Sequence, residues 1–128
     1  MFEKTKNSLV PIKQILLNQK IISGIGNIYA SEILFDAKLS PFIKGNQLRE
    51  IEIITLIKSI RKILRKAINS GGTSIRDYIS ADGTLGNFQK KFRVYNKEDK
   101  LILGFKIKRV VQYSRSTFYC PEIQKLDR

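Results

Sequence analysis

Gly24-Ile25-Gly26-Asn27-Ile28-Tyr29-Ala30-Ser31-Glu32 is the stretch that decides how this chain is read. Two glycines interrupt two apolar segments of helical pattern, residues 9–19 and 27–37. Glycine leaves the backbone free to turn at such a junction. Asn27 then falls at the start of the second helix, where the first backbone N–H groups have no partner within the helix. A glycine turn feeding a helix N-terminus is a ready anion site. The plainer reading of Asn27 is an ordinary helix cap, a role that suits asparagine.

Working outward, residues 9–19 place Ile12, Ile15, Leu16 and Gln19 on or beside one face, and Pro11 is tolerable only in the first turn. Residues 27–37 carry Ile28, Ile33, Leu34 and Phe35, and residues 39–46 form a loop with Ser40-Pro41 and Gly45. A long helix is predicted over residues 47–70, with Ile53, Ile57, Ile60, Leu64, Ala67 and Ile68 at helical spacing. Lys58, Arg61, Lys62, Arg65 and Lys66 fill much of its other side, either as a solvated face or as a face toward DNA. Gly71-Gly72 stops it. Four strand-like runs follow a turn-rich segment: residues 91–95, 101–105, 107–112 and 116–120. The expected architecture is mainly α: a helical domain over residues 1–90, then a small antiparallel β-hairpin unit over residues 91–128.

The chain has 128 residues, enough for one domain or a domain with an appendage. No apolar run is long enough for a membrane span, and residues 1–6 lack a secretory pattern. A single cysteine, Cys120, excludes an internal disulfide framework, and there is no histidine to serve as base or zinc ligand. A cytoplasmic, nucleoid-associated location follows as an expectation. The net charge of +13 points to a partner with a phosphate backbone, although RNA or an anionic membrane surface would attract it equally. Residues 86–128 hold eleven Lys or Arg against four Asp or Glu, interleaved with Phe88, Phe92, Tyr95, Phe105, Tyr113, Phe118 and Tyr119. Such mixing suits either a groove for a nucleic-acid backbone or the core of a small β unit.

Read in order, Ile12-Lys13, Leu16-Leu17, Gly24 to Tyr29, Glu32, Leu34-Phe35, Gly71-Gly72-Thr73, Arg76-Asp77-Tyr78, Asp82-Gly83, Gly86, Phe88, Val94-Tyr95 and Arg115-Ser116-Thr117-Phe118-Tyr119-Cys120-Pro121 resemble one family. They are similar to the C-terminal half of the bacterial formamidopyrimidine-DNA glycosylases, bifunctional base-excision repair enzymes. The resemblance runs from about residue 8 to residue 124. It implies a helix–two-turn–helix domain followed by a finger, with duplex DNA, damaged or not, as partner. It also implies that Lys13, Gly26, Asn27 and Arg115 lie against DNA phosphates. Residues 73–88 would be the loop that closes over an extruded base, with Thr73, Ser74, Arg76 and Tyr78 as candidate contacts; a plain surface connector is the alternative.

Two departures bear on activity. The family's nucleophile is a proline at the mature N-terminus of a separate domain, assisted by a glutamate. This chain opens Met1-Phe2-Glu3, with no Pro-Glu pair, and Glu3 does not inherit that role. No catalytic residue is assigned, and the chain alone is expected to be inactive. The family's finger holds zinc with two Cys-x-x-Cys pairs. Here only Cys120 stands, Ile123 occupies its partner position, and residues 96–104 contain no cysteine. No metal or other cofactor is expected, and Leu101, Ile102 and Leu103 are expected to fill the space in a zincless finger. The functional reading is a DNA-binding module without its own catalytic domain. The alternatives are one half of a split enzyme completed by a separate N-terminal subunit, or a non-functional relic.

Overall fold

The computed structural model describes residues 5–18, 26–69 and 92–128. Three helices, α1 (Ile12–Asn18), α2 (Asn27–Asp36) and α3 (Glu50–Asn69), are followed by two antiparallel strand pairs, β1 (Leu101–Ile102) with β2 (Phe105–Lys106) and β3 (Lys108–Gln112) with β4 (Arg115–Tyr119). The fold is mainly helical with a hairpin subdomain, as the residue pattern implied.

Helix α1 starts three residues later than the apolar pattern suggests. The backbone of residues 8–12 is engaged elsewhere. Ile12 N–H donates to Ile43 O at 2.7 Å, while Val10 O and Ser8 O accept from Gly45 and Asn46. Pro11 therefore sits ahead of the helix, bridged to Lys44. Gly45 is required here by space: a Cβ on it would lie 2.2 Å from the Thr5 carbonyl oxygen. Helix α2 ends where Lys38 takes a left-handed φ of 60° and Leu39 N–H reaches back to Leu34 O at 2.9 Å.

Helix α3 begins at Glu50 rather than residue 47, because residues 45–47 form a separate 3-10 turn. The Glu52 carboxylate accepts from Arg49 N–H at 2.9 Å, one half of a capping box. Its buried face is Ile53, Leu56 and Ile60, with Ile63 and Leu64 packed alongside. Leu56 is wholly buried although the spacing argument passes over it. The side chains of Ala67 and Ile68, and the Gly71-Gly72 stop, lie outside the described residues. These helices share one core with Ile12, Leu16, Ala30, Ile33, Leu34, Leu39 and Ile43.

A second core joins the hairpins to α2. Phe35 packs with Val94, Ile107, Phe118 and Cys120, flanked by Tyr95, Ile102 and Ile123. Burying an aromatic or branched side chain in such a cluster contributes about 1.5–3 kcal/mol each. Phe92, Tyr95 and Phe118 stack edge to face in sequence, with centroids 5.9 and 4.9 Å apart, so these aromatics are core. Phe105 and Tyr113 are exposed.

Two strand expectations are corrected. Residues 92–95 alternate like a strand but are not one. The N–H groups of residues 93–95 go to a side chain: the Glu32 carboxylate accepts from Arg93 at 2.7 Å, Val94 at 2.9 Å and Tyr95 at 3.0 Å. The run 101–105 is two strands around a turn at Leu103 (φ 52°) and Gly104 (φ 84°). Consequently Leu101 and Leu103 are 69% and 73% exposed, and only Ile102 of the three packs into the second core.

Candidate nucleic-acid interface

Lys13 lies in the first turn of α1, and its side chain runs inward until only 1% of the residue is exposed. Its ammonium meets the N-terminus of α2 and the start of β4. It donates to Asn27 Oδ1 at 2.5 Å, Thr117 Oγ1 at 2.7 Å and Ser116 O at 3.2 Å. All three acceptors are neutral. Among the described residues no carboxylate pairs with Lys13. Burial, and then the charge of Arg115, push its pKa down to about 8. It is still mostly protonated at neutral pH, so this is a buried cation that meets no counter-ion among the described residues.

Asn27 is the first residue of α2, and the cap position belongs to Gly26, whose backbone is extended at φ −85°, ψ 179°. The cap reading of Asn27 is thereby corrected. Its carboxamide points away from the helix: Oδ1 accepts from Lys13 and Nδ2 donates to Ser116 O at 2.8 Å. No side chain caps α2. The first bond into the helix is Ala30 N–H to Gly26 O, at 3.0 Å, so the N–H groups of Asn27 and Ile28, at its very start, find no acceptor within it. Gly26 is exposed, and a Cβ there would meet nothing within 4 Å. Neither its φ nor its packing calls for glycine. Among the described residues nothing covers the positive end of the α2 dipole at Gly26.

Arg115 follows the tight turn at Tyr113 (φ 52°) and Ser114 (φ 63°), two left-handed residues of the kind that close a two-residue hairpin. It is the first residue of β4, paired with Gln112, and is exposed. Arg109, across the hairpin, donates to Ser116 Oγ at 3.0 Å. Lys13 and Asn27 are thus joined by a hydrogen bond at the start of α2, next to Gly26, and Arg115 lies near enough for its charge to act on Lys13. A buried ammonium, an open helix N-terminus, a carboxamide and a guanidinium fork are the donors that hold an oxyanion.

Gly24 and Ile25 of the turn, and Thr73, Ser74, Arg76 and Tyr78, lie outside the described residues. On the basic side of α3, Lys62 is engaged with Asp36 at 2.9 Å, and Ser59 donates to the same carboxyl at 2.7 Å. Burial pushes Asp36 up, but these bonds with the charges of Lys62 and Arg93 outweigh it and leave it below the usual range. Lys62 is therefore a tie between α2 and α3. Two contributors carried no sequence signal for their parts here: Thr117, quoted only within a motif, and Gln112. Glu32, also quoted only in a motif, proves to be the anchor of the second unit.

Cys120 is wholly buried among Phe35, Val94, Ile107 and Phe118, and Ile123 packs beside them. Its N–H donates to Gln124 Oε1 at 2.8 Å, and Gln124 in turn donates to Leu39 O at 3.0 Å. Among the described residues no three His, Cys, Asp or Glu side chains come together. Nor is any described helix long and apolar enough to cross a membrane.

Comparison with known proteins shows the family. Residues 1–79 match the family model of the formamidopyrimidine-DNA glycosylase H2TH domain. Formamidopyrimidine-DNA glycosylases of Roseobacter denitrificans and Zymomonas mobilis are 44% and 46% identical, over 98% and 96% of this chain. In both cases the chain spans 46% of the relative's length. Among solved structures, Lactococcus lactis Fpg in complex with DNA containing an abasic site superposes with a TM-score of 0.82 at 41% identity. That match covers 97% of this chain and 46% of that one. The chain therefore belongs to the formamidopyrimidine-DNA glycosylase family and spans somewhat less than half the length of the relatives it matches.

Proposed function

We propose that this chain is a duplex-DNA-binding module of its family, gripping a backbone phosphate at the N-terminus of α2. The observation that carries the reading is the buried Lys13 ammonium, which among the described residues has no carboxylate partner and lies beside Arg115 and the N-terminus of α2. Burying an unpaired charge is costly, and an anion at this point relieves the cost. Lys13 contributes charge rather than a direct bond, because its three hydrogens already have acceptors. The groups left to meet a phosphate oxygen are the second Nδ2–H of Asn27, the backbone N–H groups of Asn27 and Ile28 and the Arg115 fork. Such contacts position a protein on DNA without reading sequence.

The residues that the resemblance associates with excision belong to the part of the family's length that this chain does not span. The isolated chain is accordingly proposed to bind damaged or intact duplex without excising a base, and its hairpin unit to fold without zinc. A separate N-terminal half, completing the family's length, is the second reading; the 46% coverage supports it. Supplying such a half in trans and assaying excision tests it. The binding reading is tested by fluorescence anisotropy of a labelled duplex across a salt series, with a thermal melt as control for folding. Affinity should fall steeply with salt, by a log–log slope of about 0.9 per phosphate neutralised. No binding at low salt by the folded chain would reject it.

A further inference from the structure

We propose that Thr117 and Gln112 are positioning residues for the phosphate site, acting on it through Lys13 and Asn27. The inference rests on the phosphate reading above. Two backbone carbonyls determine every proton in the network, because a carbonyl oxygen only accepts. Pro41 O accepts from Gln112 at 3.1 Å, which makes that end of the carboxamide Nε2 and turns Oε1 toward Thr117. Oε1 also only accepts, so the Thr117 hydroxyl donates to it, at 3.1 Å. With its hydrogen directed there, the hydroxyl oxygen presents a lone pair to Lys13 Nζ. On the other side Ser116 O accepts from Asn27 Nδ2, which turns Asn27 Oδ1 onto the same ammonium.

The chain of donors therefore has one direction, from Lys13 through Thr117 to Gln112. It points the ammonium at the Asn27 oxygen and leaves one Asn27 N–H free to face outward. Without the Thr117 hydroxyl, one of three ammonium hydrogens is stranded in a site that water hardly reaches. The lysine then favours its neutral form or withdraws, and the Asn27 carboxamide loses its stop. Among the described residues the charged groups around Lys13 are positive: Arg115 at the start of β4, and Arg109 on β3, one hydrogen bond away through Ser116. From α2 it meets the neutral Asn27.

The test compares Thr117→Val, which keeps shape and loses the hydroxyl, with Thr117→Ser, which keeps the hydroxyl. Lys13 titration is followed by NMR in the DNA-free 128-residue chain, and affinity for a short labelled duplex is measured at pH 7.5. The parent lysine should titrate at about 8. Thr117→Val should lower that midpoint by roughly one pH unit, the size of a lost hydrogen bond to a charged group. It should also weaken duplex binding about 5–10-fold, while Thr117→Ser keeps both values near the parent. A folded Thr117→Val with either readout unchanged overturns the proposal. Should that variant not fold, Gln112→Met, on a half-buried side chain, removes the hydroxyl's acceptor and is read the same way. If the folded parent binds no duplex, the phosphate reading falls, and the titration alone decides whether the relay orients Lys13.

Discussion

Replacing Glu32 with alanine should detach the hairpin unit from the helical core. Glu32 is 5% exposed and accepts three consecutive backbone N–H groups, from Arg93, Val94 and Tyr95. Hydrogen bonds to a charged acceptor contribute about 1.5–3 kcal/mol each, and a buried donor left without a partner costs about 1–3 kcal/mol. Val94 is wholly buried, so its N–H bears the full penalty, about 2–3 kcal/mol. Arg93 and Tyr95 are nearer solvent, and water recovers most of their loss, leaving about 0.5–1 kcal/mol each. The expected destabilisation is therefore about 3–5 kcal/mol. Glu32→Gln, which keeps one acceptor oxygen, should lose about 2 kcal/mol. Urea unfolding gives the total, and native-state hydrogen exchange at residues 93–95 locates it. A Glu32→Ala loss below about 1 kcal/mol, with protection at those amides unchanged, would refute the account of this anchor.

Three further outcomes are expected. Asn27→Ala and Arg115→Ala should each weaken duplex binding without altering sequence preference, and Arg115→Ala should reduce the salt slope by about one, as anisotropy will show; because Gly26 is the cap, Asn27→Ala should leave α2 itself little affected in circular dichroism. The Arg128 hydrogen bonds hold the Glu52 pKa down at about 2 against burial, with Arg49 assisting, from an ordinary 4.5; a depressed carboxyl stabilises above 4.5, so about 1–2 kcal/mol, after solvent screening, should be lost as pH falls from 4.5 toward 2, and Arg128→Gln should flatten that part of an acid titration of stability. Protein purified without added zinc should carry no stoichiometric metal, and chelator should leave its melting temperature unchanged, since Cys120 stands alone in an apolar cluster; one tightly held zinc per chain would contradict this.

The sequence showed the helical part well, because period and punctuation are local signals. Ile53 and Ile60 announce the inner face of α3, and the glycines before Asn27 announce the start of α2. It failed where partners are distant. The alternation at residues 92–95 reads as a strand because nothing near it reveals Glu32, some sixty residues earlier, as the acceptor of its N–H groups. Leu103 gives no hint of a left-handed turn, although Gly104 beside it does. The proposed phosphate site was legible as a list, Lys13, Asn27 and Arg115, but not as an arrangement. That Lys13 is buried and its hydrogens spent depends on Ser116 and Thr117, more than a hundred residues away. Gln112 offers no sequence cue at all, since its part is fixed by a carbonyl at Pro41.

The central claim, that the chain holds a DNA phosphate at the open end of α2, is tested most directly by an amide NMR titration with a short duplex containing an abasic analogue. The account predicts that the backbone N–H signals of Asn27 and Ile28 and the side-chain signal of Arg115 shift together, with one affinity, and that Asn27→Ala abolishes the concerted shift. Shifts confined to the lysine- and arginine-bearing face of α3, with Asn27, Ile28 and Arg115 unmoved, would contradict it.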